Sequence, residues 1–403
     1  MSNQPITQAS IRDRVNTFFG ISFEIISLMF LVRLIVDTSN RIFIPFIPQV
    51  ASGLGLTITA FGWLLALRSL TGLASPIIGV LADRYGRRLI MGVALAIRGI
   101  GLLGLGFTLG WWSAIPMLLI SLSTTAYLPV QKAYVSDQVC YKRRGRALAA
   151  VDASYSTAGI IGLPIVGWIL EIWGWPLPVY ILAAMSFVGA LVIGIRLPKT
   201  KNRVQSAIPQ PGMWKLFSQP RLFVSVVVSA LLLFIFILFM IFWTLWLSDD
   251  FGFGPIEIGL MGTFIGLAEF IGLLLAMLFV DQIGKRRGSL IGLLGSSICF
   301  ALISIFQQPL FAVRIILILT AVVIEFALTA SIPLFAEQAP KARATVFSLV
   351  AFGNTIGIGL GPPVTTYLWT SGGLNAIIIT GMVSSLFAFF LVWKFLFDSP
   401  YPS

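Results

Sequence analysis

The chain has 403 residues, of which 58% are hydrophobic and only 10% charged, with a formal charge of +12 and no histidine. Soluble domains carry about 25% charged residues. A chain this poor in charge cannot cover a water-facing surface, so lipid is its main solvent.

A bilayer core of about 30 Å needs some 20 apolar residues per helix. In chain order, apolar runs cover 21–50, 57–81, 89–109, 111–136, 146–170 and 175–195. After a polar stretch at 196–220 come 222–248, 256–280, 289–306, 309–335, 344–370 and 373–396. These runs are too long, and too apolar on all sides, for barrel strands of ~10 alternating residues. The expectation is an all-α membrane protein of twelve transmembrane helices, six in a half 1–195 and six in a half 221–403, joined by a linker 196–220. No leader of the cleaved type is expected, because the first apolar stretch is too long for one.

The positive charge has a pattern. Of the 27 basic residues, 21 lie before run 1, between runs 2 and 3, 4 and 5, 8 and 9, and 10 and 11, in the linker, or at the end of run 12. The opposite loops carry none, and the longest, around Asp249, Asp250 and Glu257, is acidic. Basic loops on one face predict a cytoplasmic side, with both termini there, in the plasma (inner) membrane. The same distribution argues for anionic lipid, and against nucleic acid, as the partner of these charges. Cys140 and Cys299 fall in different halves and suggest neither a disulfide framework nor a metal site. No cofactor is expected.

Between runs 2 and 3 stands Gly79-Val80-Leu81-Ala82-Asp83-Arg84-Tyr85-Gly86-Arg87-Arg88. A shorter copy, Asp281-Gln282-Ile283-Gly284-Lys285-Arg286-Arg287, follows 198 positions later between runs 8 and 9. Asp137 closes run 4 and Glu337 closes run 10, and basic residues follow each. Run 5 holds Gly159, Gly162, Pro164 and Gly167; run 11 holds Gly353, Gly357, Gly359, Gly361 and Pro362. Parallel six-helix repeats predict two halves that rock about a midplane site, with small residues where they slide.

Residues 79–88 match position by position the loop signature G-x-x-x-D-R-x-G-R-R of the major facilitator superfamily, and the whole chain resembles its drug:proton antiporters. The resemblance implies a cytoplasmic gate. Asp83 would face the start of run 11 near Arg343, and Asp281 the start of run 5 near Arg146, each a carboxylate at a helix amino end. Gly86 would allow the tight turn. Gly79, Arg84, Arg87, Arg88, Asp137, Arg144, Gly284, Arg286 and Glu337 complete this gate. Two departures from the antiporter pattern are visible. Run 5 reads Gly162-Leu163-Pro164-Ile165-Val166-Gly167 in place of an adjacent Gly-Pro pair, and 111–131 lacks the usual early arginine of run 4.

Charges inside a bilayer are expensive and mark function. Run 1 carries Arg33, Asp37 and Arg41 at a spacing of four, one stripe in which Asp37 is expected between two arginines. Glu269 lies 12 residues before Asp281, and Glu325 lies 12 before Glu337. That places each ~18 Å from the basic end, near the midplane, with no basic residue at i±3 or i±4. With histidine absent, carboxylates are the candidate proton carriers: Glu325 first, Glu269 second, with Asp37. Arg33, Asp37, Arg41, Arg68 and Glu325 are the expected cavity residues. Lys132 is five residues from Asp137 and fits either site or gate. Trp63, Tyr127, Tyr155, Trp168, Trp243 and Trp246 are candidate aromatic lining.

The expected function is secondary transport by a monomer, with proton-coupled export of small amphipathic compounds first. An organic anion or phosphorylated metabolite is the second expectation, since Arg33, Arg41, Arg68 and Lys132 outnumber the acids of their half. A membrane enzyme is the third and weakest, lacking histidine and any nucleophile motif.

Overall fold

The computed structural model describes residues 21–140, 143–198, 219–339 and 343–398. Arg12, Arg14 and most of the linker 196–220 lie outside them. The elements of the first half are α1 (Phe23–Arg41), α2 (Ile47–Gly53), α3 (Ile58–Ser69), α4 (Ser75–Tyr85), α5 (Arg87–Phe107), α6 (Ala114–Gln138), α7 (Arg144–Thr157), α8 (Leu163–Trp173) and α9 (Leu177–Arg196). The second half has α10 (Pro220–Phe251), α11 (Pro255–Ile283), α12 (Lys285–Ile305), α13 (Leu310–Glu337) and α14 (Arg343–Phe395). No strand occurs among the described residues.

Among these residues nine helices are long and apolar enough to cross a membrane, and a bent pair over 47–72 makes a tenth. The last of the nine is two spans, because α14 turns at Gly373, whose φ of 59° and ψ of −155° no helix has. α1 carries Glu24, Arg33, Asp37 and Arg41 in 19 residues, too charged to count by composition alone. Each of the twelve apolar runs is therefore helical, and the chain is an integral, multi-pass membrane protein. Large apolar side chains such as Ile77, Phe107, Leu191, Met277 and Phe311 stand exposed on its outside, as lipid contact requires.

Three runs differ from single helices. Run 1 stops at Arg41, turns, and resumes as α2. Run 2 is interrupted by a 3-10 segment at Leu70–Ala74. Run 5 contains a wide π turn at Ala158–Gly162, between α7 and α8. Such turns mark places where a neighbouring group needs room. Here a Cβ on Gly159 would lie 2.8 Å from Nη1 of Arg41, and one on Gly162 2.7 Å from Oγ1 of Thr38. The glycines of run 5 thus let α1 press against the π turn.

The sequence repeat is also a structural repeat. Gly86 has φ 94° and ψ 138°, and Gly284 has φ 95° and ψ 141°. Arg87, next after the first glycine, pairs with Asp137, and Lys285, next after the second, pairs with Glu337. Arg88 donates to the carbonyls of Gly194 and Leu197 at the end of α9, and Arg286 donates to that of Trp393 near the end of α14. Each short loop is stapled to the acid that closes one helix and to the carboxyl end of another, within its own half. Helix carboxyl ends offer unpaired carbonyls, so a guanidinium there is doubly favoured.

The halves meet away from the basic loops. Ideal Cβ atoms on Gly62, Gly167 and Gly259 would fall 2.2 Å from Oγ1 of Thr366, 2.3 Å from the carbonyl of Pro255 and 2.9 Å from that of Leu163. Thr59 and Thr370 hydroxyls lie 3.4 Å apart, and Thr263 donates to the Ile160 carbonyl at 3.0 Å. Backbones this close admit no side chain at these glycines. Gly167→Val should force the halves apart on this face. A cysteine pair at Thr59 and Thr370 should then cross-link several-fold more slowly, and an unchanged rate would contradict the packing.

Candidate functional site

Between the halves lies a cavity of about 300 Å³ lined by Arg33, Lys132, Asp152, Tyr155, Glu269 and Glu325, with Ser156, Phe270 and Leu273. Its walls come from α1, α6, α7, α11 and α13. Tyr155 is the one predicted aromatic that reaches it. Trp243, Trp246 and Tyr127 are fully buried in the core, while Trp63 and Trp168 are at least half exposed.

The stripe on α1 does not stay together. Arg33 Nε lies 3.0 Å from Asp37 Oδ2, which also accepts from Ser154 at 2.8 Å. Arg33 Nη1 donates to Gln131 Oε1 at 3.1 Å, and its Nη2 stands 3.1 Å from Asp152 Oδ1, an ion contact without hydrogen-bond alignment. Asp152 takes a second cation, Lys132, at 3.0 Å. Lys132 therefore belongs to the cavity and not to the Asp137 end of its helix. Asp37 has Arg33 and Ser154 as partners, and Arg41 is not among them.

Arg41 turns away to the other half. Its Nη2 lies 2.9 Å and 3.2 Å from the two oxygens of Glu269, and its Nη1 donates to the Tyr155 carbonyl at 3.0 Å. The guanidinium sits 4.2 Å from the centre of the Tyr155 ring. Both partners of the pair are about one-tenth exposed, at 11% and 10%. Glu269 is thus not the isolated carboxylate its own helix suggests. The basic neighbour comes from 228 residues away, and spacing along one helix cannot reveal it.

Glu325 remains. It accepts a long hydrogen bond of 3.4 Å from Thr329, one turn along α13. No cation pairs with it among the described residues. It shares the cavity with Glu269, and α11 passes close by at Gly272, whose Cβ would lie 3.0 Å from that of Glu325.

Arg68 reaches none of these acids. It donates to Asn40 Oδ1 at 3.3 Å and stacks over Phe43 at 4.7 Å. Behind it Arg98 is fully buried, bonded to Ser123, Ser39, Asn40, Thr124 and two carbonyls. Sequence reasoning gave no role to Gln131, Ser154 or Asn40. Uncharged polar residues inside apolar runs were the available signal, since these commonly join helices.

The expected gate divides. The side chains of Asp83, Arg144 and Arg343, and the surroundings of Gly79, lie outside what the structure describes. Gly86, Gly284, Arg87, Arg88, Asp137, Arg286 and Glu337 form the staples within each half. Arg84 lies over the Tyr85 ring at 5.5 Å. Asp281 is exposed.

A family model described as Major Facilitator Superfamily matches residues 29–245 and 229–403. The chain belongs to that superfamily. It is 28% identical over 228 residues to Multidrug resistance protein 1 of Bacillus subtilis, a match covering 55% of this chain and 57% of that relative. It is 26% identical to the transporter YceJ of the same organism, covering 85% and 89%. With the class B tetracycline resistance protein of Escherichia coli it shares 23%, covering 75% and 77%. The fold matches a bacterial homolog of the human lysosomal transporter Spinster with a TM-score of 0.78 at 15% identity, covering 94% and 98%. The nucleoside transporter NupG gives 0.72 at 16%, covering 91% and 98%. The chain is a transporter of small molecules.

Removing one member of a buried ion pair strands the other, at a cost of about 3–5 kcal/mol. Glu269→Gln should therefore lower the melting temperature of the purified protein by several degrees. Arg41→Met combined with Glu269→Leu should recover much of that loss. Equal melting of the single and double variants would contradict the pairing.

Proposed function

We propose that the chain exports small amphipathic compounds in exchange for protons, with Glu325 as the proton carrier. The supporting observation is the contrast between two carboxylates in one cavity. Glu269 is neutralised by Arg41, and Glu325 has no cation. An unneutralised carboxylate in a medium of low dielectric exchanges a proton for a positively charged group, because only one of the two is needed to balance it. A cationic or polar substrate arriving beside Glu325 favours its ionised form, and the proton leaves. A proton arriving from the other side favours release of the substrate. Asp37 is held by Arg33 and Ser154 and serves as the fixed anchor of the site.

The named relatives support export. Multidrug resistance protein 1 and the tetracycline resistance protein carry resistance in their names. The anion reading is weakened by the geometry. Arg33, Arg41 and Lys132 are each paired with an acid, and only Arg68 of the four expected cations is not.

Movement follows from the repeat. The units 1–195 and 221–403 rock about the linker 196–220, within a monomer whose cavity one chain completes. The packed glycine face is the external gate. Asp83 opposite Arg343 and Asp281 opposite Arg146 close the other face in the alternate state, on the cytoplasmic side of the plasma membrane, where both termini lie. Arg41–Glu269 joins the halves between the two gates, so its rearrangement links cargo to motion.

Glu325→Gln should abolish proton-driven dye efflux from proteoliposomes while leaving dye binding within about twofold. Efflux that still responds to a proton gradient would refute the role of Glu325. Asp83→Asn should slow turnover for every substrate alike, and a change confined to selectivity would refute the gate.

A further inference from the structure

A second cavity, of about 530 Å³, also lies between the halves and shares no lining residue with the first. Its walls are α3, with the first residue of the 3-10 turn that follows, and α14. Leu64 is fully buried and Arg68 reaches Asn40, so these residues mark the inner side of α3. Trp63, Leu67 and Leu70 follow one another at helical spacing on the other side. Phe352, Ile356 and Leu360 form the matching stripe on α14. Trp63, Leu70, Phe352 and Leu360 are all exposed, so the groove opens outward to lipid. Trp63, which misses the charged cavity, thus stands at the edge of this one. The space within is left by small residues, Ala66, Ser69 and Gly359.

The chemistry of the walls selects an apolar occupant. Among the described residues no charged side chain lines the groove. Ser69 donates to the Ala66 carbonyl at 2.7 Å and Thr355 to that of Ala351 at 3.0 Å, so both hydroxyls are engaged within their own helices. Water or a polar ligand would lose hydrogen bonds on entering. An empty groove would forfeit dispersion contacts along both walls. The groove also continues the seam between the halves. On the side away from the basic loops, a Cβ on Gly62 would meet Thr366, and at the groove itself one on Gly359 would lie 2.7 Å from Ser69 Oγ. Towards the basic loops α4 does not pack along α14 as α3 does.

We propose that this groove binds one acyl chain of a membrane phospholipid, set as a wedge where the seam between the halves opens. The chain fills the space over Ala66, Ser69 and Gly359 and touches Trp63 from one half and Phe352 from the other. Charged cargo gains nothing here, so the site is separate from the cavity of Glu325.

The test places the purified full chain in phosphatidylcholine nanodiscs, with a small fraction of the lipid carrying a photoreactive diazirine in one acyl chain. Cross-linked peptides are then quantified by mass spectrometry. Residues 350–363 should be labelled several-fold more than the exposed stripe Ile291, Leu294 and Ile298 of α12, which meets lipid without a groove. Ala66→Phe, and independently Thr355→Phe in the other half, fill the groove with a ring. Each should bring labelling of 350–363 down to the level on α12 and leave that level unchanged. Equal labelling of groove and stripe in the native chain overturns the proposal. So does full labelling of the groove in either variant that keeps the native melting temperature. Labelling displaced by ethidium and not by unlabelled phosphatidylcholine would make the groove a cargo site and overturn it as well.

Discussion

Arg41 and Glu269 meet at 2.9 Å from opposite halves of a membrane protein, and most of the site is arranged around that contact. Neither group tolerates the membrane interior alone. Together they are neutral, and they bind α1 to α11 at the level of the cavity. Arg41 reaches Glu269 only because the chain widens into a π turn at Ala158–Gly162, where Gly159 leaves space for the guanidinium. Its departure leaves Asp37 to Arg33 and Ser154. Its union with Glu269 leaves Glu325 as the unbalanced acid. One ion pair thus leaves three carboxylates with three different sets of partners.

The duplicated architecture supplies the frame. Loops with matching glycine conformations are stapled by a basic residue to an acid and by an arginine to helix-end carbonyls, once in each half. These staples make each half a unit on the basic face. On the opposite face the halves touch through glycines whose backbones nearly meet. The charges of the cavity do not follow the repeat. Cations come from α1, α3, α5 and α6, while the acids Glu269 and Glu325 come from α11 and α13. A symmetric body therefore holds an asymmetric site.

Much of this was legible in the sequence. Twelve apolar runs, basic loops on one side and a motif repeated at an offset of 198 residues define the fold, because lipid burial and chain duplication write themselves along the chain. The breaks within runs 1, 2 and 5 were hidden, since hydropathy carries no signal for a π turn or a turn at 42–46. Glu325 was visible as a lone acid in an apolar run. The partner of Glu269 was not, because a pairing across 228 residues depends on tertiary packing. Asp137 and Glu337 were read as parts of a gate between halves. Their staples within each half became visible only with the loop geometry. Lys132, ambiguous by spacing, was decided by Asp152.

The central claim is that Glu325 carries the exchanged proton while Glu269 stays paired with Arg41. Infrared difference spectra of the purified protein, taken between acid and alkaline buffer, report the carbonyl stretch of each protonated carboxylic acid directly. The account predicts one titrating carboxylic band that vanishes in Glu325→Gln and persists in Asp152→Asn. A band that persists in Glu325→Gln, or a second band lost on replacing Glu269 in the presence of Arg41, would contradict it.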